Sequence, residues 1–153
     1  MKVFNLLLNL VQGIKNALQE SKDYTDARGD YIVEQGTSGI WHYEKRASGI
    51  AECWGKTTIT ATSWNTWGSV YEGNPYLSNL EFPTDLFIDT PIVNCVVAQN
   101  GLTGGSMYEM GTINQTRIHY IVPIRPIATS SSIPYWYLIN AKGLWKTFEQ
   151  VGG

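Results

Sequence analysis

The fold is decided by residues 49–62, whose sequence is GIAECWGKTTITAT. An extended backbone would place every second side chain of this segment on one face, namely Ala51, Cys53, Thr57, Ile59 and Ala61. Residues 91–99 repeat the alternation, with Val93, Cys95 and Val97 on one face. A period of two is typical of a β-strand with one buried face. Both segments therefore predict core strands, and each carries a thiol into the interior.

Outside these two segments, the chain from residue 29 onward has the composition of a β domain. It holds 14 of the 15 glycines and all six prolines, which mark turns between short strands. Strands are predicted at residues 30–35, 39–46, 49–62, 70–76, 79–87, 91–99, 106–123 and 133–140. Since no segment of helical period lies between them, we expect a mainly β fold, with an antiparallel β-sandwich or jelly-roll-like head over residues 28–153.

Residues 1–27 follow a different pattern. Apolar side chains recur there at alternating spacings of three and four, at Phe4, Leu7, Val11, Ile14 and Leu18. This heptad seam predicts an N-terminal α-helix with an apolar stripe, which ends at Arg28-Gly29-Asp30. A helix of this length is marginal alone in water, so the stripe must pack on something. The seam by itself leaves two partners open: the protein's own β domain, or further copies of the helix in a coiled-coil stalk.

Charge and cysteine usage exclude several classes of function. Eleven Lys and Arg face 13 Asp and Glu, and no basic residue lies between Lys56 and Arg117. A nucleic-acid partner is therefore not expected, since such binding needs clustered cations. Membrane insertion is not expected either, because no apolar run approaches the ~20 residues of a span. Cys53 and Cys95 lack a CxxC spacing and predict free buried thiols, although a pair opposed across two sheets could form a disulfide.

Chemistry-bearing residues are present without a catalytic arrangement. His42 and His119 each lie inside a strand pattern, and no nucleophile, phosphate-binding or metal motif occurs. We therefore expect no enzymatic activity, no metal and no cofactor. The acidic residues of the middle of the chain are more typical of a solvated face, although two of them in one cleft would suit glycoside hydrolysis: Glu72, Glu81, Asp85, Asp89 and Glu109.

Aromatic residues are the more informative excess, with six Trp and nine Tyr. Such side chains suit sites that stack flat rings and hydrogen-bond hydroxyl groups, as saccharide sites do. Trp41 and Trp54 lie mid-strand and are predicted to be core residues. The candidate ligand-binding residues are those expected in a loop, at a strand end or in an exposed aromatic cluster, namely Trp64, Trp67, Tyr135 and Tyr137.

Three segments resemble a known family: residues 30–36 (DYIVEQG), 38–45 (SGIWHYEK) and 49–55 (GIAECWG). They are similar to the opening of the C-terminal globular domain of tail-fibre or minor structural proteins of siphophages and prophages of Gram-positive bacteria. The resemblance implies a virion protein with a trimeric helical stalk and a distal β head. Heads of this family often bind cell-wall saccharide. The resemblance supplies no binding residue by position.

The leading hypothesis is therefore a non-enzymatic receptor-binding protein of a tail or baseplate. It would form a homotrimer through the five seam residues and attach to host-surface saccharide through its head. Residues 1–27 would also dock on other virion proteins, unless the chain is a part of a longer fibre. The alternatives are a virion decoration or connector protein without a ligand, and a saccharide-cleaving enzyme.

Overall fold

A computed structural model describes residues 1–99 and 107–147, without the side chains of residues 25–28. The chain divides into two compact units, Met1–Tyr31 and Ile32–Gly153. Helix α1 spans Lys2–Arg28, in agreement with the heptad pattern. Hydrogen bonds at a spacing of four support its polar face, from Gln12 to Asn16 at 2.9 Å and from Gln19 to Asp23 at 2.7 Å. Every side chain from Met1 to Tyr24 is exposed.

The described part of the second unit consists of ten strands. They are β1 Ile32–Ser38, β2 Trp41–Arg46, β3 Ile50–Ala61, β4 Ser63–Trp67, β5 Val70–Asn74, β6 Leu77–Glu81, β7 Ile92–Gln99, β8 Met107–Met110, β9 Arg117–Arg125 and β10 Ile133–Leu144. The fold class is thus the predicted one, a mainly β protein with one N-terminal helix.

Some strand predictions were wrong. The segment 106–123 contains two strands rather than one, while Ser106 itself lies outside the described residues. Between β8 and β9, the Asn114 carboxamide oxygen accepts hydrogen bonds from the backbone N–H groups of Thr116 and Arg117, at 2.9 and 3.0 Å. This local turn ends the ladder because the Asn side chain satisfies the backbone groups. Residues 63–67, interpreted as a loop or strand end, form β4.

The strands form two antiparallel sheets. Sheet I has the order β1-β2-β3-β10-β7, and sheet II has the order β4-β5-β9-β6, with β8 also paired to β9. Strand β10 lies between β3 and β7 in sheet I and pairs with β3 over its full length, from Ile133 opposite Ala61 to Leu144 opposite Ile50. Strands distant in sequence therefore lie side by side in sheet I.

Inward-facing side chains of the two sheets form one core. Alternate residues of β10 are buried in it, and the Trp41 indole joins the sheets through a 2.6 Å hydrogen bond from its Nε1 to the Glu81 carbonyl oxygen. The Trp41 and Phe82 rings lie 5.5 Å apart, and Phe87 packs edge-on against Phe82 at 5.2 Å. The prediction that Trp41 is a core residue is confirmed, since it is buried.

Both cysteines are free thiols, and Cys53 is buried while Cys95 is half-buried. They belong to the same sheet rather than to opposed sheets, on β3 and β7, the two neighbours of β10. Two strand spacings amount to roughly 9.6 Å, beyond the reach of a disulfide. Burial raises the pKa of Cys53 to about 12 and that of Cys95 to about 11. Within the described ranges, no helix is long and apolar enough to cross a bilayer.

Candidate functional site

The structure does not bring the four sequence-predicted ligand residues together. Tyr135 and Tyr137 are completely buried, because their positions on the interior strand β10 face sheet II. Their predicted exposure was wrong, although they do share one face as the alternation indicated. Neither ring is accessible to a ligand in this structure.

The two tryptophans of β4 differ in environment. Trp64 is half-buried, packs edge-on against Tyr135 at 6.1 Å and donates from Nε1 to the Ser131 carbonyl oxygen at 3.3 Å. The Arg125 guanidinium lies over its ring at 5.5 Å. These contacts fit a packing role. Trp67 is 48% exposed at the end of β4, so it retains an accessible ring.

A larger site lies on the outer face of sheet I, opposite the core. This groove has a volume of about 620 Å³. Its lining combines aromatic, amide, ammonium and aliphatic groups: His42, Trp54, Lys56, Asn94, Val96, Leu138 and Asn140. A volume of this size falls in the range of small-ligand sites.

Strand pairing sets the geometry of the groove. His42 is opposite Trp54, Trp54 is opposite Asn140, and Asn140 is opposite Asn94. These four residues form a row across β2, β3, β10 and β7, which we call the Trp54 row. Three strand spacings give the row a length of about 14 Å. The row is rigid at its base, because its four residues lie on paired strands of one sheet.

Trp54 is the aromatic platform of this row. The prediction that it is a core residue was wrong, because it is 43% exposed. Cys53, its neighbour on β3, occupies the inward position, which directs Trp54 outward. The imidazole of His42 lies nearly parallel to the indole, with ring centroids 6.0 Å apart and an interplanar angle of 20°. Stacking against His42 limits the orientations that the indole can adopt.

A second row runs beside the first and contains Lys56, Leu138 and Val96, which are paired across β3, β10 and β7. Leu138 and Val96 are 50% and 57% exposed. The groove therefore offers an aromatic face, two carboxamides and an ammonium group beside an aliphatic floor. The residues that line the groove include neither a carboxylate nor a hydroxyl nucleophile, and the groups present suit ligand binding.

Two of the acidic residues considered for hydrolysis do meet in a smaller cleft. Glu72 and Glu109 line a cavity of about 140 Å³ together with Tyr76 and Tyr120. The Tyr120 hydroxyl donates to the Glu109 carboxylate at 3.4 Å, and the charge of Glu109, followed by desolvation of the hydroxyl, raises the pKa of Tyr120. Among the described residues, no group of three or more His, Cys, Asp or Glu side chains could hold a metal ion.

The Trp54 row was not predicted from the sequence, although the alternation in residues 49–62 already indicated an outward position for Trp54. The core face of residues 49–62 was assigned correctly, so Trp54 and Lys56 necessarily fall on the opposite face. A large aromatic residue on the non-core face of a regular strand is a usable signal for an exposed platform. His42, Asn94 and Asn140 could not be joined to it, because their alignment depends on the register of three pairs of strands.

No protein-family model and no curated protein matches the chain. Among solved structures, the chain is similar to an N-truncated R1-type pyocin tail fibre, with 14% sequence identity and a TM-score of 0.45. The match covers 72% of this chain and 86% of the pyocin chain. A fragment of the P. aeruginosa R1 pyocin fibre, comprising its C-terminal residues, matches with the same identity and TM-score over 72% of this chain and 28% of its own.

Proposed function

We propose that this protein is a non-enzymatic attachment protein of a phage or prophage tail. Its helix associates with two further copies, and its β domain binds saccharide of the host surface. The observation that carries the proposal is the Trp54 row, an exposed aromatic platform continued by two carboxamides. The resemblance of residues 30–55 to tail-fibre heads supports the same role.

The Trp54 row has the chemistry that saccharide recognition requires. A pyranose presents a C–H face that packs on an aromatic ring, and hydroxyl groups around its rim that exchange hydrogen bonds with amides. Trp54 supplies the ring, while Asn140 and Asn94 follow it at successive strand spacings. The row therefore favours an elongated ligand that lies across the strands.

The exposed seam of α1 supports self-association. Phe4, Leu7 and Leu18 are 64%, 57% and 66% exposed, and Val11 and Ile14 are 43% and 53% exposed. Each large apolar side chain gains roughly 1.5–3 kcal/mol when it is fully buried. A parallel bundle would bury all five. It would also bring three weak saccharide sites together, which strengthens attachment to a surface.

Trp54→Ala tests the saccharide site, with Trp67→Ala as the matched control. We expect Trp54→Ala to weaken binding to Gram-positive cell-wall preparations at least tenfold, because the aromatic face is lost, and Trp67→Ala to have little effect. Surface plasmon resonance on immobilised wall fragments measures both, and circular dichroism checks folding. Equal binding by wild type and Trp54→Ala would contradict the assignment of the groove.

A virion connector without a ligand is the second candidate. It is favoured by exposed apolar side chains on the same outer face, since Ile92, Val96 and Leu138 are 74%, 57% and 50% exposed. A connector would bind no wall preparation, and its outer face would be covered by another virion protein. The binding measurement above distinguishes the two candidates directly.

A further inference from the structure

We propose that the saccharide bound by the groove carries an acidic group, a carboxylate or a phosphate, and that Lys56 selects it. This inference rests on the proposed function and adds the chemical class of the ligand. It follows from the charge balance of one face of sheet I, from the position of Lys56 beside the platform, and from the groups that surround its ammonium.

The carboxylates on the outer face of sheet I already have cations of their own. The Glu52 carboxylate pairs with the Lys142 ammonium at 2.5 Å, and the Glu44 carboxylate pairs with the Arg46 guanidinium. Lys56, on the same face, forms no ion pair or hydrogen bond with any residue in the described ranges. Its positive charge is therefore left without a protein counter-charge at the groove.

Lys56 also lies where a substituent of a stacked sugar would reach. It follows Trp54 by two residues on β3, so the two side chains leave the same face about 7 Å apart. A sugar ring stacked on Trp54 would extend a charged substituent over this distance. Leu138, opposite Lys56, and Val96 beyond it provide an aliphatic surface. Low polarity strengthens a charge-assisted hydrogen bond relative to bulk water.

The overall charge of the chain does not favour anion binding. The chain has a formal net charge of -2, and no basic residue lies between Lys56 and Arg117 in sequence. A single ammonium among neutral groups suits one acidic substituent on an otherwise neutral saccharide. It does not suit a polyanion such as nucleic acid, which requires several clustered cations.

The experiment compares the full-length wild type with Lys56→Gln, Lys56→Arg, Lys146→Gln and Trp54→Ala. Lys146→Gln is the matched control, because it removes the same charge from an exposed lysine outside the groove. The probes are immobilised bacterial saccharides in three groups: neutral, uronate-bearing and phosphate-bearing. The second and third groups distinguish the two sources of the acidic group.

We expect wild type to bind saccharides of at least one acidic group. Lys56→Gln should weaken this binding about tenfold, as expected for one lost charge-assisted hydrogen bond. Lys56→Arg should retain it, and Lys146→Gln should leave it unchanged. Added salt should weaken binding by wild type more than binding by Lys56→Gln.

Two results would overturn this inference and leave the proposed function standing: binding confined to the neutral group, or acidic binding that Trp54→Ala abolishes while Lys56→Gln leaves it intact. If no saccharide binds, or if Trp54→Ala binds as wild type does, the saccharide site of the proposed function fails as well. The two failures are therefore distinguishable within one set of measurements.

Discussion

Trp41 and Trp54 occupy neighbouring strands and face opposite sides of sheet I. Trp41 is 2% exposed and its Nε1 donates to the Glu81 carbonyl oxygen, whereas Trp54 is 43% exposed. We expect Trp41→Phe to lower the free energy of unfolding by about 1–3 kcal/mol, because the partly buried hydrogen bond to the Glu81 carbonyl is lost. Trp54→Phe should change it by less than about 0.5 kcal/mol. Urea denaturation measures both, and equal effects would contradict the assignment of the two faces.

Tyrosine hydroxyls offer a second comparison between single side chains. Among the described residues the buried Tyr137 hydroxyl has no hydrogen-bond partner, whereas the Tyr108 hydroxyl donates to the Cys95 carbonyl oxygen at 2.9 Å. Tyr137→Phe should therefore be neutral or stabilising by up to about 1 kcal/mol, and Tyr108→Phe should destabilise by about 1 kcal/mol. Thermal unfolding compares the two variants. A large loss of stability in Tyr137→Phe would show that its hydroxyl has a partner in solution.

Cysteine reactivity follows from burial. Because burial raises the pKa of Cys53 to about 12 and that of Cys95 to about 11, the folded protein keeps both thiols protonated at neutral pH. A thiol in the unfolded chain ionises at about pH 8.5. The preference of the folded protein for protonated thiols therefore contributes fully to the free energy of unfolding below that pH, and this contribution is lost as the pH rises towards 11–12. We expect iodoacetamide at pH 8 to label the native protein far more slowly than the urea-unfolded protein. Mass spectrometry counts the adducts, and rapid native labelling would contradict the burial.

At the level of secondary structure, helix α1 bears an apolar stripe whose side chains are exposed. We expect a full-chain mass near three times 17.1 kDa by light scattering, because self-association would bury the stripe. Ile14→Asp should shift the mass to that of one chain, since a carboxylate in the seam is costly to bury. Asn16→Asp, on the polar face of the helix, is the control and should keep the larger mass.

A wild-type mass of one chain would remove the stalk from the proposal. A shortened chain that begins at Asp30 supplies an independent check, since its mass should equal that of a single chain if α1 provides the contacts. If the shortened chain retains the larger mass, the contacts lie in the β domain.

For the assembled protein, we expect attachment to a surface to depend on both the helical stalk and the saccharide groove. We expect Ile14→Asp to bind a saccharide-coated surface about 10²-fold more weakly than wild type, since three linked sites act together only in the assembled protein. Its affinity for a soluble monovalent saccharide should not change, because Ile14 lies outside the groove. Surface plasmon resonance and calorimetry measure the two quantities. Equal loss in both would indicate damage to the head rather than loss of avidity.

Sequence patterns predicted much of the fold because those patterns are local. The heptad seam predicted the helix, and the alternation in residues 49–62 and 91–99 predicted both core faces. The same alternation contained the outward position of Trp54, which a general preference of tryptophan for the interior obscured. Errors came where a local hydrogen bond interrupted a strand, as at Asn114, or where a short strand resembled a loop, as in β4.

The class of each element and the inward face of its strands could be predicted from the sequence alone, since both depend on the spacing of neighbouring side chains. Only the tertiary structure decided that Trp54, Asn140 and Asn94 form one row, and that Tyr135 and Tyr137 are buried beneath sheet II. Rows across a sheet depend on which strands pair and in what register. The pairing of β3, β10 and β7 joins segments up to about 90 residues apart. Register over such distances is set by packing of the whole core, which no local pattern specifies.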